Sequence, residues 1–299
     1  MVGVMRRWAK AVAHSAPALA VGRRVTAAGV RILMYHRFAG AGAGFRAQCE
    51  HIRRYYTPVP MSDVAAWAVG KAELPPRAVA VTVDDGYRDF AEVAAPLLRE
   101  FGIPSTVYIV TDFADQADWL WWDQAAHLYG QEAGVAAKVL EWIEKPDSER
   151  RTELAALAVR QGKKLPAAAP AAYAGLDWHQ MRELAKSGVE FGGHTRTHPI
   201  LARLESAEAQ RAEVSWCQRR LTEELGQPAL HFCYPNGRPQ DFDEDSVAAV
   251  REFGFQTAVT TNRGLNYQGV DQFRLRRLAV GPDIPLPYFR ALLAGMARE

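Results

Sequence analysis

Four stretches of the chain share one local order: an amphipathic helical run, a glycine, then a short apolar run. They are VAAPLLREFGIPSTVYIVT, MRELAKSGVEFGGH, CQRRLTEELGQPALHFCYP and VAAVREFGFQTAVTT. Gly102, Gly188, Gly226 and Gly254 fall where a helix ends on a residue of positive φ. The runs that follow are almost continuously apolar, as in strands covered on both faces. With VRILMYH (30–36), AVAVTVD (78–84) and RRLAV (276–280), about seven strands alternate with helices. That alternation predicts a parallel α/β architecture, open or closed into a barrel. In such folds the side chains that do chemistry gather at the C-terminal ends of the strands.

The chemically active residue types sit at those ends. His36 closes the first strand, Asp84 and Asp85 the second, His194 follows VEFGG, and YPNG (234–237) closes another. In an ideal strand Asp84 and Asp85 point to opposite faces. Both enter one site only if the strand stops there, and Gly86 permits the bend. His194 and His198 are spaced i, i+4, which in a helical turn sets two imidazoles on one face. Two histidines and one carboxylate with open positions suit a catalytic divalent metal, zinc or iron typically. One aspartate then binds the cation, and the cation makes its neighbour's charge tolerable. Singly these signals are weak, since Asp-Gly is a common turn dipeptide. Their joint occurrence at successive strand ends is the informative fact.

The bulk numbers exclude other classes. The chain has 299 residues, 48% of them apolar, and a net charge of +2, which gives no reason to expect nucleic acid. It contains no apolar run of the length that spans a bilayer. Cys49, Cys217 and Cys233 are odd in number and widely spaced, so they are expected as buried thiols in a reducing compartment. Residues 1–29 are expected to be a basic leader or arm, placing the protein in the cytoplasm, with peripheral contact at the inner membrane an alternative. Arg6, Arg7, Lys10, Arg23 and Arg24 carry its charge, and the first 49 residues hold no acid at all.

Residues 112–177 break the alternation and are expected to be helical hairpins inserted beside the site, with Trp119, Trp121 and Trp122 as core. His14, His51, His127 and His179 are expected to be solvated or packing residues, and His231 to face the helical layer. Asp241 and Asp243 are expected in a solvated loop.

TVDDG, HTRTHPIL and FCYPNGRPQDF occur in that order. Together they resemble the polysaccharide deacetylase family, the NodB-homology domain of carbohydrate esterase family 4. ILMYHRF and LDWHQMRELAKSGVEFGGH resemble its exopolysaccharide-type branch. The resemblance runs from about residue 30 to 280 and implies a domain over 30–299, a distorted (β/α)7-type barrel with a helical insertion. It implies removal of N-acetyl groups from an N-acetylhexosamine polysaccharide or its lipid-linked precursor. The implied cofactor is a divalent metal, Zn2+ first, with Co2+, Ni2+ or Mn2+ as alternatives.

By the same resemblance Asp84 is the general base, and Asp85, His194 and His198 are metal ligands. A backbone N–H near Asn236 serves the oxyanion. Where the family's third motif carries an arginine this chain has Cys233, and Arg277 in FRLRRLAV is the candidate replacement. The late Leu-x-His motif that supplies the acid has no clear copy here, so His36 takes that role. Two alternative functions stay open at this point. One is hydrolysis of a small amide, such as a formylated sugar nucleotide or a ureide. The other is glycan binding without turnover.

Overall fold

The computed structural model describes residues 15–130 and 145–297, with positions 135, 139 and 141–143 between them. Arg6, Arg7, Lys10 and His14 lie outside the described residues. Helix α1 (Ala16–Val25) leads into β1 (Arg31–Tyr35), followed by α2 (Gly42–Tyr55), β2 (Thr57–Pro58), α3 (Met61–Ala68) and β3 (Ala78–Val83). A π-helical turn then runs into α4 (Ala95–Glu100) and β4 (Ser105–Ile109). The insertion contributes α5 (Thr111–Ala114), α6 (Trp121–Tyr129) and α7 (Asp147–Arg160). The alternation resumes with α8 (Trp178–Lys186), β5 (Glu190–Gly193), α9 (Ala207–Leu225), β6 (His231–Cys233) and α10 (Glu244–Glu252). It ends with β7 (Thr257–Arg263), β8 (Leu275–Ala279) and α11 (Leu286–Leu293).

All strand pairings are parallel, in the order β1-β8-β7-β6-β5-β4-β3, and β1 pairs with β3 to close the ring. The expected seven strands make a seven-stranded parallel barrel flanked by helices. An eighth, β2, adds two residues to the start of β3. Its shortness and its proline hide it from any alternation pattern.

Alternate residues of each strand face in and out. The outer set, including Leu33, Val81, Val107 and Phe232, packs under the helices. The inner set fills the barrel: Ile32, Ala80, Tyr108, Cys233, Val259 and Leu275 join Met61, Val64 and Trp67 of α3, which plugs the end away from the site. Glu190 of β5 tethers that plug by accepting from the Met61 and Ser62 amides at 3.0 and 3.3 Å. A carboxylate at a helix N-terminus also meets the positive end of its dipole.

His231 lies on the same strand face as Cys233 and its Nδ1 is 2.8 Å from Thr257 Oγ1. It therefore points into the barrel, against the sequence expectation, while Phe232 faces the helices. Alternation with Phe232 fixes that the two face opposite ways but not which faces in, and this barrel admits polar groups that pair internally.

Gly192 faces inward, where a Cβ would lie 2.6 Å from the His231 carbonyl and 2.6 Å from the Tyr108 ring. Neither neighbour is a flexible chain end that can swing away. Gly192→Ala is expected to destabilise the protein by about 1–3 kcal/mol, as overpacked sites do, measured by the denaturant midpoint.

Candidate active site

β1 and β3 run in register, Tyr35 opposite Val83, so His36 and Asp84 leave the barrel side by side. The Asp84 amide still donates to the Tyr35 carbonyl at 2.9 Å, and β3 ends there. Asp85 at φ 72° and Gly86 at φ 83° are both left-handed. Two such residues in succession turn the chain sharply, and both carboxylates enter one cavity. Glycine was expected to make the bend, but Asp85 adopts the strained conformation too. Aspartate tolerates it better than most side chains.

Arg277 rises from β8 inside the barrel, with its side chain fully buried. Its Nη1 and Nη2 donate to Asp84 Oδ1 and Oδ2 at 2.7 and 2.8 Å, a bidentate pair. Nε donates to the Thr260 carbonyl at 2.9 Å, and Nη2 lies 3.1 Å from Cys233 Sγ. A small thiol at position 233 leaves the room that this guanidinium occupies. Burial favours a neutral Asp84, but the Arg277 charge and its two hydrogen bonds outweigh that and hold the carboxyl well below the usual range.

Asp85 Oδ1 lies 3.5 Å from His194 Nε2 and 3.7 Å from His198 Nε2. All three side chains are buried, and their ligand atoms lie within 4.8 Å of one another. His194 Nδ1 is 2.7 Å from the Cys233 carbonyl, an acceptor only, so the proton sits on Nδ1 and Nε2 keeps its lone pair. A carboxylate and imidazole nitrogens converging without direct hydrogen bonds fit a divalent cation. Asp84, His194 and Cys233 form a second trio within 4.8 Å. There both carboxylate oxygens already belong to Arg277, so the Asp85 trio is the better cation site.

The two histidines do not meet through a helical turn. Residues 194–200 form a loop in which Thr195 and His198 take φ of 66° and 62°. Glu213 of α9 holds that loop, accepting from the Arg196 and Thr197 amides at 2.9 Å each and from Thr197 Oγ1 at 2.9 Å. His198 N donates to Thr195 Oγ1 at 3.0 Å. Spacing alone could not reveal Glu213, which lies on α9, outside the segment that holds the two histidines.

At YPNG, Asn236 is left-handed at φ 57° and its carbonyl accepts from Thr261 Oγ1 at 2.7 Å. No protein acceptor takes the Asn236 N–H among the described residues. His36 stands half-exposed at the mouth, its Nε2 3.7 Å from Asp84 Oδ2.

These groups line one cavity of about 690 Å³, together with Arg37, Tyr87, Trp121, Trp122, Asp123 and Tyr234. Every candidate except Arg277, which reaches the cavity's edge through Asp84, is a lining residue. The expectation that all three insertion tryptophans are core holds for Trp119 alone. Trp121 and Trp122 are half-buried and border the cavity. Tyr87 Oη accepts from Trp122 Nε1 at 2.9 Å and donates to Asp123 Oδ2 at 2.5 Å, a chain that no motif announced. Burial, reinforced by Asp85 and Asp89 and opposed by the Tyr87 hydrogen bond and Arg37, pushes the Asp123 carboxyl up to about 7.

Asp241 is fully buried and pairs with Arg238 at 2.7 Å, and Asp243 caps α10 by accepting from Ser246 N at 2.9 Å. Asp241 is therefore not the solvated loop residue expected, because Arg238 satisfies it in a buried place, whereas Asp243 is exposed at the start of α10 as expected. The three cysteines are buried free thiols.

Known proteins resemble this chain in sequence and in fold. The family model for polysaccharide deacetylase matches residues 71–258. The Bacillus subtilis (strain 168) protein YxkH, provisionally assigned as a polysaccharide deacetylase, is 21% identical over 273 residues, 89% of this chain and 76% of its own. The Streptococcus pyogenes deacetylase PplD in complex with acetate superposes with TM-score 0.64 at 20% identity, covering 90% of this chain and 99% of that one. IcaB from Ammonifex degensii gives 0.64 at 20% over 90% and 97%. The BpsB deacetylase domain from Bordetella bronchiseptica gives 0.60 at 19% over 85% and 97%. These structures share the barrel. The family model spans more than half of the chain and includes the paired aspartates, both histidines and YPNG, so this protein belongs to the polysaccharide deacetylase family.

Proposed function

We propose that the protein is a metal-dependent hydrolase that removes N-acetyl groups from an N-acetylhexosamine polysaccharide or its lipid-linked precursor. One observation carries this reading. An aspartate kept ionised by a buried arginine stands next to a buried Asp-His-His trio, in a cavity large enough for a sugar. Asp85, His194 and His198 would hold the ion. Zn2+ bound there supplies Lewis acidity to the acyl carbonyl and makes water easier to deprotonate.

The chain's own residues do the rest. Asp84 accepts the proton of the attacking water, and Arg277 fixes both its charge and its orientation. The Asn236 N–H, unclaimed by the protein, donates to the developing oxyanion. His36 gives its proton to the leaving nitrogen as the C–N bond breaks, yielding acetate and an amine. For a lipid-linked precursor, α1 offers support: it exposes Val21 and Val25 beside Arg23 and Arg24, as a helix lying on an anionic membrane would. Against a phosphate-bearing small substrate, Arg37 and Arg238 at the cavity are each paired with an aspartate.

Asp85→Ala and His194→Ala are expected to lose bound metal and acetate release together. Asp84→Asn is expected to keep the metal and lose activity about 100-fold to 10,000-fold, as removal of a general base does. Elemental analysis beside an acetate assay reads both. Arg277→Ala leaves Asp84 buried without its partner and is expected to destabilise the fold by about 3–5 kcal/mol. In denaturant unfolding, the double variant with Asp84→Asn should regain part of that loss. His36→Gln should lower kcat about 100-fold on an N-acetyl sugar. It should matter far less for 4-nitrophenyl acetate, whose phenolate leaves without a proton.

A further inference from the structure

Asp123 differs from every other acid of the cavity. Asp84 is spent on Arg277, Asp85 on the histidine pair, and the nearby Asp89 on Arg37 at 2.9 Å. Asp123 is 6% exposed and no cation pairs with it among the described residues. Among the described residues its carboxylate accepts one hydrogen bond, from Tyr87 at Oδ2. That proton has no choice of direction. Tyr87 Oη already accepts the Trp122 indole N–H, a group that can only donate, so its own proton goes to Asp123. The Trp122 ring is in turn fixed against His198, centroids 4.7 Å apart at 71°. Among the described residues Oδ1 has no protein donor, and its side chain lines the catalytic cavity and cannot move freely. An acceptor held in place beside the cavity without a protein donor can take a hydrogen bond from a bound molecule.

We propose that Asp123 is a substrate-positioning residue: its Oδ1 accepts a ring hydroxyl of the hexosamine whose acetamide lies at Asp84, beside the fixed Trp122 ring. The inference rests on reading this cavity as the hexosamine site. A hydroxyl suits Asp123 better than a cation does, because a hydroxyl can donate to the carboxylate or accept from the acid. An aromatic ring next to a fixed polar group is also the usual composition of a small-molecule site. The insertion thereby gains a role, since α6 brings both residues to the barrel's mouth.

The test compares full-length, metal-loaded wild type with Asp123→Ala, Asp123→Asn and Tyr87→Phe. Substrates are N-acetylglucosamine oligomers and 4-nitrophenyl acetate, which has no hydroxyl to hold. Melting temperatures show that each variant folds. Asp123→Ala is expected to raise KM for the oligomer about tenfold to a hundredfold, the worth of one hydrogen bond to a charged group. Its loss on the ester should be at least tenfold smaller. Asp123→Asn, which keeps the shape and a polar atom toward the cavity, should recover much of the loss, and Tyr87→Phe should fall between. Equal losses on both substrates, or an unchanged KM, overturn the proposal.

A second arm titrates the oligomer into the Asp84→Asn protein with and without Asp123→Ala. A Kd weakened about tenfold supports the subsite, and an unchanged Kd overturns it. Tighter binding of the fully deacetylated oligomer than of the acetylated one also overturns it, since Asp123 would then be selecting an ammonium. Wild type that hydrolyses the ester yet releases no acetate from any oligomer refutes the deacetylase reading, and the titration then judges Asp123 alone.

Discussion

A single buried ion pair, Arg277 with Asp84, ties the chemistry of this protein to its scaffold. Two charges out of water are tolerable only when their geometry is good and their remaining hydrogen-bonding groups are satisfied. Both conditions hold here: the pair is bidentate, and Thr260 and Thr82 take the other guanidinium protons. The pair also spans the closure of the barrel, since Asp84 follows β3 and Arg277 lies on β8, on opposite sides of β1. Closing the ring thus brings the Arg277 charge to Asp84. A barrel with its last strand out of register would leave both ions stranded.

Around that pair the backbone departs from its comfortable regions. Asp85, Thr195, His198 and Asn236 are four of the six non-glycine residues with positive φ among those described. All four border the site. Each such residue is held only where its surroundings over-determine it. At the histidine loop the restraint is Glu213, and at YPNG it is the paired bonds to Thr261. A helix of the shell and a strand of the barrel thus supply the restraints that the loops lack.

The parts of this design that repeat were legible in the sequence. Helix, glycine and apolar strand recur with enough regularity to give the parallel order, and the strand ends mark where to look. The family resemblance supplied the division of labour between Asp84 and Asp85, which spacing left open. What escaped notice depends on contacts between distant segments. Glu213, Tyr87 and Asp123 belong to ordinary helices and turns, and only folding brings them to the loops they serve. His231 and Asp241 were misjudged for a related reason. His231 is expected under the helices and Asp241 in a solvated loop, yet both are buried where distant or folded-back partners, Thr257 and Arg238, satisfy them. The HxxxH spacing was informative, but its helical explanation was not, because an irregular loop achieves the same convergence.

The filled interior has a further consequence. With Tyr108, Val259 and Leu275 packed across the lumen and Trp67 wedged beneath them, the barrel is a stoppered vessel with one working rim. A polymer cannot thread through it and must lie across the top. Reactant arrival and acetate departure therefore share one doorway, and the wall that α6 adds along it leaves a long chain fewer ways to drape over that rim.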